Sequence, residues 1–335
     1  MGGKKITKGF KEVFMIKAGI IGGAGYTAGE LIRILINHPE AEIAFVQSTS
    51  NAGNAVTDVH ADLIGETELL FERSPDLHSA DVLFLCMGHG KSRSFVKELP
   101  GTYKGKIIDL SNDFRLKKDA DGFVYGLPEL QRDKIRNASL IANPGCFATA
   151  IQLALLPVAS AKMLNEVHIH AVTGSTGAGQ SPSSTTHFSW RSSNMSVYKA
   201  FSHQHLGEIG ETLLQLQPGF DADVNFVPIR GDFPRGIMAS VYMDFSLPEE
   251  MALKMFRNYY SVHPFTHVAD KNPDLKMVVN TNKAVLYIRK HGNKLHIISM
   301  IDNLLKGASG QAVQNMNLIF GLDELTGLHL KPLAF

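Results

Sequence analysis

The stretch MIKAGII over residues 15–21, followed without a break by GGAGYTAGEL over 22–31, decides the fold. An apolar run stops at glycines, and Leu31, Ile32, Leu35 and Ile36 then recur at helical spacing, so the segment reads as strand, tight turn and helix. The helix is predicted to end near Asn37-His38-Pro39, because proline disfavours helical backbone in the residue before it. AEIAFVQ at 41–47 then reads as a second buried strand. Further apolar runs at 81–87 (DVLFLCM), 106–110 (KIIDL) and 140–142 extend the pattern. Buried runs joined by helical crossovers are the signature of a parallel sheet.

Beyond Cys146 the pattern changes. A helix is expected to about Ser160, then longer and partly alternating strands at 167–172, 236–245, 282–290 and 294–301, which suit a mixed or antiparallel sheet. Residues 173–202 are dense in Gly, Ser and Thr and lack periodicity, and loops that long in compact domains are commonly functional. A last helix over about 308–320 is placed to return to the first half. The expected class is therefore α/β: a Rossmann-type dinucleotide-binding domain over 15–146 plus about 307–335, and a second α+β domain over 147–306. The opening fourteen residues carry lysines but no continuous apolar core, and are expected to be a disordered leader.

Composition narrows the function. With 33 Lys and Arg against 32 Asp and Glu the net charge is +1, so the clustered basic surplus of a nucleic-acid binder is missing. No apolar run approaches membrane-spanning length. Two cysteines in 335 residues are too few for a disulfide framework and fit a reducing cytoplasm.

The glycine turn places backbone amides and a helix N-terminus where a pyrophosphate can approach, with Gly22, Gly25, Tyr26 and Thr27 as the candidate contacts. The spacing departs from a clean G-x-G-x-x-G. The second strand ends in Gln47-Ser48-Thr49-Ser50-Asn51, with no carboxylate to repel a 2′-phosphate. Ser48 and Ser50 are candidate acceptors of that phosphate, which favours NADP over NAD, although no arginine stands in the cluster.

Cys146, in Asn143-Pro144-Gly145-Cys146, falls after a strand and at a helix start, where the dipole favours a thiolate and hence a nucleophile. Cys86 lies inside an apolar run and is assigned to the core. A nucleophilic thiol needs a proton partner. His203 and His205 lead into a helix, and Glu208 is placed to orient one of them. A zinc reading of the histidine pair lacks the further ligands that would complete a site, so no metal is expected. Asn112 and Arg115 follow a strand end, and Arg115 can hold a phosphate or make an ion pair with Asp109 or Asp113.

With these residues in hand, the chain resembles the semialdehyde dehydrogenase family over nearly its whole length from Met15. The resemblance rests on GGAGYTAGEL (22–31), DLSNDFRL (109–116), YGLPEL (125–130), NPGCFAT (143–149), GSTGAG (174–179), HQHLGEI (203–209) and the run from Asp302 to Leu328. It implies NADPH-dependent reduction of N-acetyl-γ-glutamyl phosphate to N-acetylglutamate 5-semialdehyde through a cysteine thioester, as in arginine biosynthesis. It further implies Cys146 as nucleophile, His203 or His205 as acid/base, and Arg115, Asn112, Ser175 and Glu208 around a small acyl-phosphate substrate. Asn303, Lys306 and Gly307 would then approach the nicotinamide side, and the assembly would be a homodimer or homotetramer.

The sequence departs from the family pattern at two places. Ser50-Asn51 stands where many relatives carry Arg-Ser, and Pro228 to Gly236 is longer and more basic. Arg230 and Arg235 in that segment open the alternative of an N-succinyl substrate. An aspartate-semialdehyde dehydrogenase-like activity and a non-catalytic dinucleotide sensor are the remaining alternatives.

Overall fold

The strand β1 (Ile16–Ile21) is buried at every position except Lys17, a pattern that fits only the middle of a sheet covered on both faces. The computed structural model describes residues 15–333, so the expected leader lies outside the described residues. After β1 come α1 (Tyr26–Leu35), β2 (Ala41–Gln47), β3 (Phe71–Glu72), β4 (Val82–Leu85), α2 (Ser92–Glu98), β5 (Lys106–Asp109), β6 (Val124–Tyr125), α3 (Pro128–Arg136) and β7 (Leu140–Ala142). Seven strands pair in the order β3-β2-β1-β4-β5-β7-β6, every pair parallel. The order reverses direction at β1 and β4, which opens a crevice at the strand C-termini where dinucleotides bind in such folds.

The chain then enters α4 (Cys146–Ser160), buried from Phe147 through Ala159. A helix apolar on every side must be enclosed. It packs against α6 (His205–Leu216) and lies on the second sheet, and α7 (Glu249–Tyr260) joins the same layer. That sheet contains β8 (Val167–Thr173), β9 (Ser196–Val197), β10 (Val224–Arg230), β11 (Ile237–Asp244), β12 (Thr266–Val268), β13 (Ala284–His291) and β14 (Lys294–Ile301), while a short helix α5 (Phe188–Arg191) sits in the long polar loop. Its order is β12-β13-β14-β11-β8-β10-β9, with β12·β13 and β8·β10 parallel and the other pairs antiparallel. The sheet is therefore mixed.

Alternation along β11 sends Ile237, Ala239, Val241 and Met243 under α4 and leaves Met238, Ser240 and Tyr242 half-buried on the other face. The last helix, α8 (Ser309–Ile319), packs on α1 and α3, against the first sheet's layer. The Ser309 hydroxyl ties it there, donating to the Thr27 carbonyl at 2.7 Å.

Candidate active site

Two glycines begin the two helices that matter, and their surroundings differ. Gly22, at φ +84°, makes the turn after β1, and a Cβ there would lie 2.9 Å from the backbone of Cys86 and of Met87. Only glycine fits that turn. Gly25 caps α1 without any side-chain hydrogen bond, and a Cβ placed on it meets nothing within 4 Å. Gly29 is the first residue of α1 whose N–H finds a carbonyl (Gly25, 3.0 Å), which leaves the amides of Tyr26, Thr27 and Ala28 without a backbone partner. This open, amide-lined cradle fits a pyrophosphate. Tyr26 is exposed beside it.

The Gln47 side chain knits the cradle to the end of β2. Its Oε1 accepts from Gly22 N at 3.2 Å, and its Nε2 donates to Thr49 Oγ1 and the Arg73 carbonyl, each at 3.3 Å. Ser48 is buried and Ser50 exposed, and Asn51 Nδ2 donates to both hydroxyls.

Cys146 is the first residue of α4, after Gly145 as cap. Burial pushes its thiol up to about 11, against the pull of the Arg115 guanidinium and of the N–H groups of Phe147 and Cys146 itself. Desolvation thus outweighs the pull of the helix N-terminus, so the thiolate that the dipole favours requires a proton partner to form. Cys86 is pushed up to about 12, chiefly by burial, against the pull of the nearby Thr27 hydroxyl.

His205 packs on the turn before the thiol: a Cβ at Gly145 would lie 2.6 Å from its Cε1 and 2.7 Å from its Cδ2. Its Nδ1 is buried with no partner among the described residues. Burial drives its imidazole down to about 3 despite Glu208, and drives His203 down to about 4, so both rings are neutral at pH 7. The two differ in what holds them. His203 Nδ1 accepts the His205 backbone N–H at 3.2 Å, while His205 keeps a free ring nitrogen.

Glu208 Oε1 accepts from Arg115 Nη1 at 3.1 Å, and Oε2 accepts from the Tyr125 hydroxyl and from Gly145 N, each at 2.9 Å. Burial opposes its charge, yet Arg115, His205 and the Gly145 amide outweigh that and hold the carboxyl below the usual range. Arg115 also donates to the Asn143 and Leu110 carbonyls at 2.9 and 3.1 Å. The ion pair weighed for Arg115 exists, but with Glu208 from 93 residues away and not with Asp109 or Asp113. A guanidinium has five N–H donors, so two remain without a partner among the described residues. Glu208 is fully engaged with the scaffold and stands 3.9 Å from His205 Nε2.

Gly307 abuts the nucleophile, since a Cβ there would lie 2.8 Å from Cys146 Cβ. Asn303 is buried, bonding Gly236 N and Thr176 Oγ1 at 2.7 and 3.0 Å. Lys306 turns away: its fully buried ammonium lies 2.8 Å from Glu129 Oε1 and 3.0 Å from Gln314 Oε1. Ser175 is half-buried, and its carbonyl is 3.4 Å from Arg230 Nη1. Asn112 is exposed, and its backbone N–H donates to His89 Nδ1 at 3.1 Å.

Three site residues escaped the sequence reading. His89 is electrostatically coupled to Arg115 and Glu208, Tyr125 holds Glu208, and Tyr198 lies under the Arg230 guanidinium at 4.8 Å. Signals existed for two of them: the Gly88-His89-Gly90 loop follows β4 at the crevice, and Tyr125 opens the YGLPEL segment. Among the described residues no group of three or more His, Cys, Asp or Glu is placed to hold a metal.

Comparison with known proteins follows the same division. Residues 17–138 match the family model of the semialdehyde dehydrogenase NAD binding domain, and residues 146–303 that of the semialdehyde dehydrogenase dimerisation domain. An N-acetyl-gamma-glutamyl-phosphate reductase of Parabacteroides distasonis is 58% identical over 96% of this chain and 100% of its own length. The chain belongs to the semialdehyde dehydrogenase family, in its N-acetyl-gamma-glutamyl-phosphate reductase branch. A reductase of the same name from Flavobacterium johnsoniae is 57% identical over 96% of this chain and 100% of its own. Among solved structures, aspartate semialdehyde dehydrogenase II of Vibrio cholerae superposes with a TM-score of 0.74 at 16% identity, covering 92% of this chain and 98% of that one. The enzyme of Candida albicans, solved with NADP, gives 0.68 at 15% identity over 91% and 98%. At such identities these likenesses report the family's fold.

Proposed function

We propose that the chain reduces N-acetyl-γ-glutamyl phosphate to N-acetylglutamate 5-semialdehyde and phosphate, with Cys146 as nucleophile, His205 as acid/base and NADPH as reductant. The observation that carries this is the Cys146 thiol at a helix start, next in sequence to Gly145, on which a neutral histidine with a free buried nitrogen packs. Such a thiol needs a base, and a neutral imidazole is one. His205 takes the thiol proton, and the sulfur attacks the γ-carbonyl carbon. The carbon–oxygen bond to phosphate breaks, phosphate leaves with the electron pair, and a thioester remains.

The two unused Arg115 donors and the amides of Cys146 and Phe147 face the charge that develops on oxygen. Gly22, Gly25, Tyr26 and the edge at Ser48 would hold NADPH, which when bound would supply a hydride to the thioester carbonyl carbon; the C–S bond then breaks, and sulfur leaves with the electron pair as the aldehyde forms. His205 returns the proton as the thiol is restored. The outer face of the second sheet, with half-buried His168, Met238 and Tyr242 and exposed His170, is where we place a second copy of the chain, and sedimentation of the purified protein tests this. The compartment that keeps Cys146 reduced is the cytoplasm.

Cys146→Ser decides the mechanism. Acyl-phosphate-dependent NADPH oxidation should fall by more than about a thousandfold while NADPH binding persists. Near wild-type turnover overturns the covalent scheme.

A second reading, an N-succinyl substrate, draws on Arg230. That guanidinium stacks on Tyr198 and keeps only its long contact to Ser175, whereas Arg235 is paired with Glu30 and Asp302. Turnover of the N-acetyl and N-succinyl acyl phosphates, side by side, separates the two.

A further inference from the structure

The end of β2 presents hydroxyls to a ribose phosphate but, in sequence, no cation. The sheet supplies one. β3 pairs parallel to β2 with Val46 opposite Phe71 and Gln47 opposite Glu72, and Ser48 N donates to the Glu72 carbonyl at 2.9 Å. The residue that follows Glu72 is Arg73, which this pairing brings alongside Ser48.

The Gln47 side chain fixes that placement, because one amide bonds Gly22 N, Thr49 Oγ1 and the Arg73 carbonyl. The glycine turn, the hydroxyl loop and Arg73 are thus parts of one hydrogen-bonded cluster. Arg73 is exposed, and neither Glu72 nor any other carboxylate among the described residues pairs with its guanidinium. By contrast Arg33, on the helix of the same turn, is closed by Glu30 at 2.6 Å.

We infer that Arg73 is the residue that reads the adenosine 2′-phosphate and so sets the preference of this site for NADP over NAD. A planar guanidinium makes paired, charge-assisted hydrogen bonds to a phosphate, which a hydroxyl cluster alone does not match. A free 2′-hydroxyl offers Arg73 no charge, so the discrimination arises at this contact. The inference rests on the dinucleotide reading of the glycine turn and adds the residue that selects between the two coenzymes.

Calorimetric titration of the whole chain with adenosine 2′,5′-bisphosphate and with adenosine 5′-phosphate tests it without turnover. The wild type is expected to bind the bisphosphate more tightly by about ten- to a hundredfold, the range of a hydrogen-bonded charge. Arg73→Ala should bring the two affinities together while leaving adenosine 5′-phosphate binding unchanged, which also reports an intact fold. Arg73→Lys should retain part of the preference, as a point charge without the fork. A preference undiminished in Arg73→Ala overturns the assignment and leaves the NADPH reading standing. A wild type that does not distinguish the two ligands overturns both.

Discussion

The turns at Gly25 and Gly145 are built alike and filled oppositely. Each ends a parallel strand, each caps a helix in extended backbone with no side-chain hydrogen bond, and each leaves the first helical amides unpaired. Around Gly25 there is space. Around Gly145 there is His205, packed on the missing Cβ, and Glu208, which accepts the glycine's own N–H. The same local device therefore serves two ends. Left empty it is a cradle for a large anionic guest, and filled with the protein's own base and carboxylate it is a reactive centre.

The comparison breaks first at Gly145. Gly145→Ala drives a methyl into His205, which is expected to cost about 1–3 kcal/mol of stability as overpacking and about a hundredfold in turnover through displacement of the base. Denaturant midpoints and steady-state rates measure both, and a fully active alanine variant would show that the packed histidine is not the acid/base.

The cysteine side is also the one that should respond to acid. Burial lowers the folded-state values of His203 to about 4 and His205 to about 3, below the ordinary value of 6.5. Between these values the unfolded chain binds more protons than the folded one, so stability rises with pH. This contribution is complete above about 6.5. It is lost as the pH falls, with a slope of up to about 1.4 kcal/mol per pH unit for each group. Urea midpoints from pH 7 to 4 should show that slope, and His205→Gln should flatten it; an unchanged slope would place the acid sensitivity elsewhere.

The smallest change in stability is expected at the open turn. Gly25→Ala adds a methyl to empty space at an unstrained backbone angle and should cost no more than about 1 kcal/mol. The same methyl occupies the approach to the amides of α1, so NADPH affinity should drop at least about tenfold. Fluorescence titration reads this directly, and unaltered affinity would mean that the coenzyme does not approach over Gly25.

How much of this was legible in the sequence depended on the range of the contacts. The β14 run at 294–301 and the start of α4 at Cys146 coincide with the expected positions, because apolar pattern and strand-to-helix glycines are local signals. The two-residue strands β3, β6 and β9 carry no periodicity to read. β10 is not among the strands expected from the sequence; it contains Pro228, which lacks a ladder donor, yet it pairs with β8 and β9.

Glu208 was read as the orienter of a histidine from its spacing along α6. Its partners come from the other sheet, Tyr125 from β6 and Arg115 from the loop after β5, and no local pattern announces them. Lys306 shows the reverse error. The resemblance groups it with Asn303 and Gly307, but its side chain pairs with Glu129, a contact only the assembled fold reveals.

The chain passes from the first sheet to the second through Asn143–Cys146 and returns through Asp302–Ser309. Both passages lie together: Asn143 Nδ2 donates to the Ala308 carbonyl at 3.0 Å, and Gly307 presses on Cys146. The joint between the two sheets and the place where bonds are made and broken are therefore the same few residues. Stiffness of that joint and reactivity of the sulfur are one mechanical property, so a tilt of either sheet is felt first as a change in what the thiol touches.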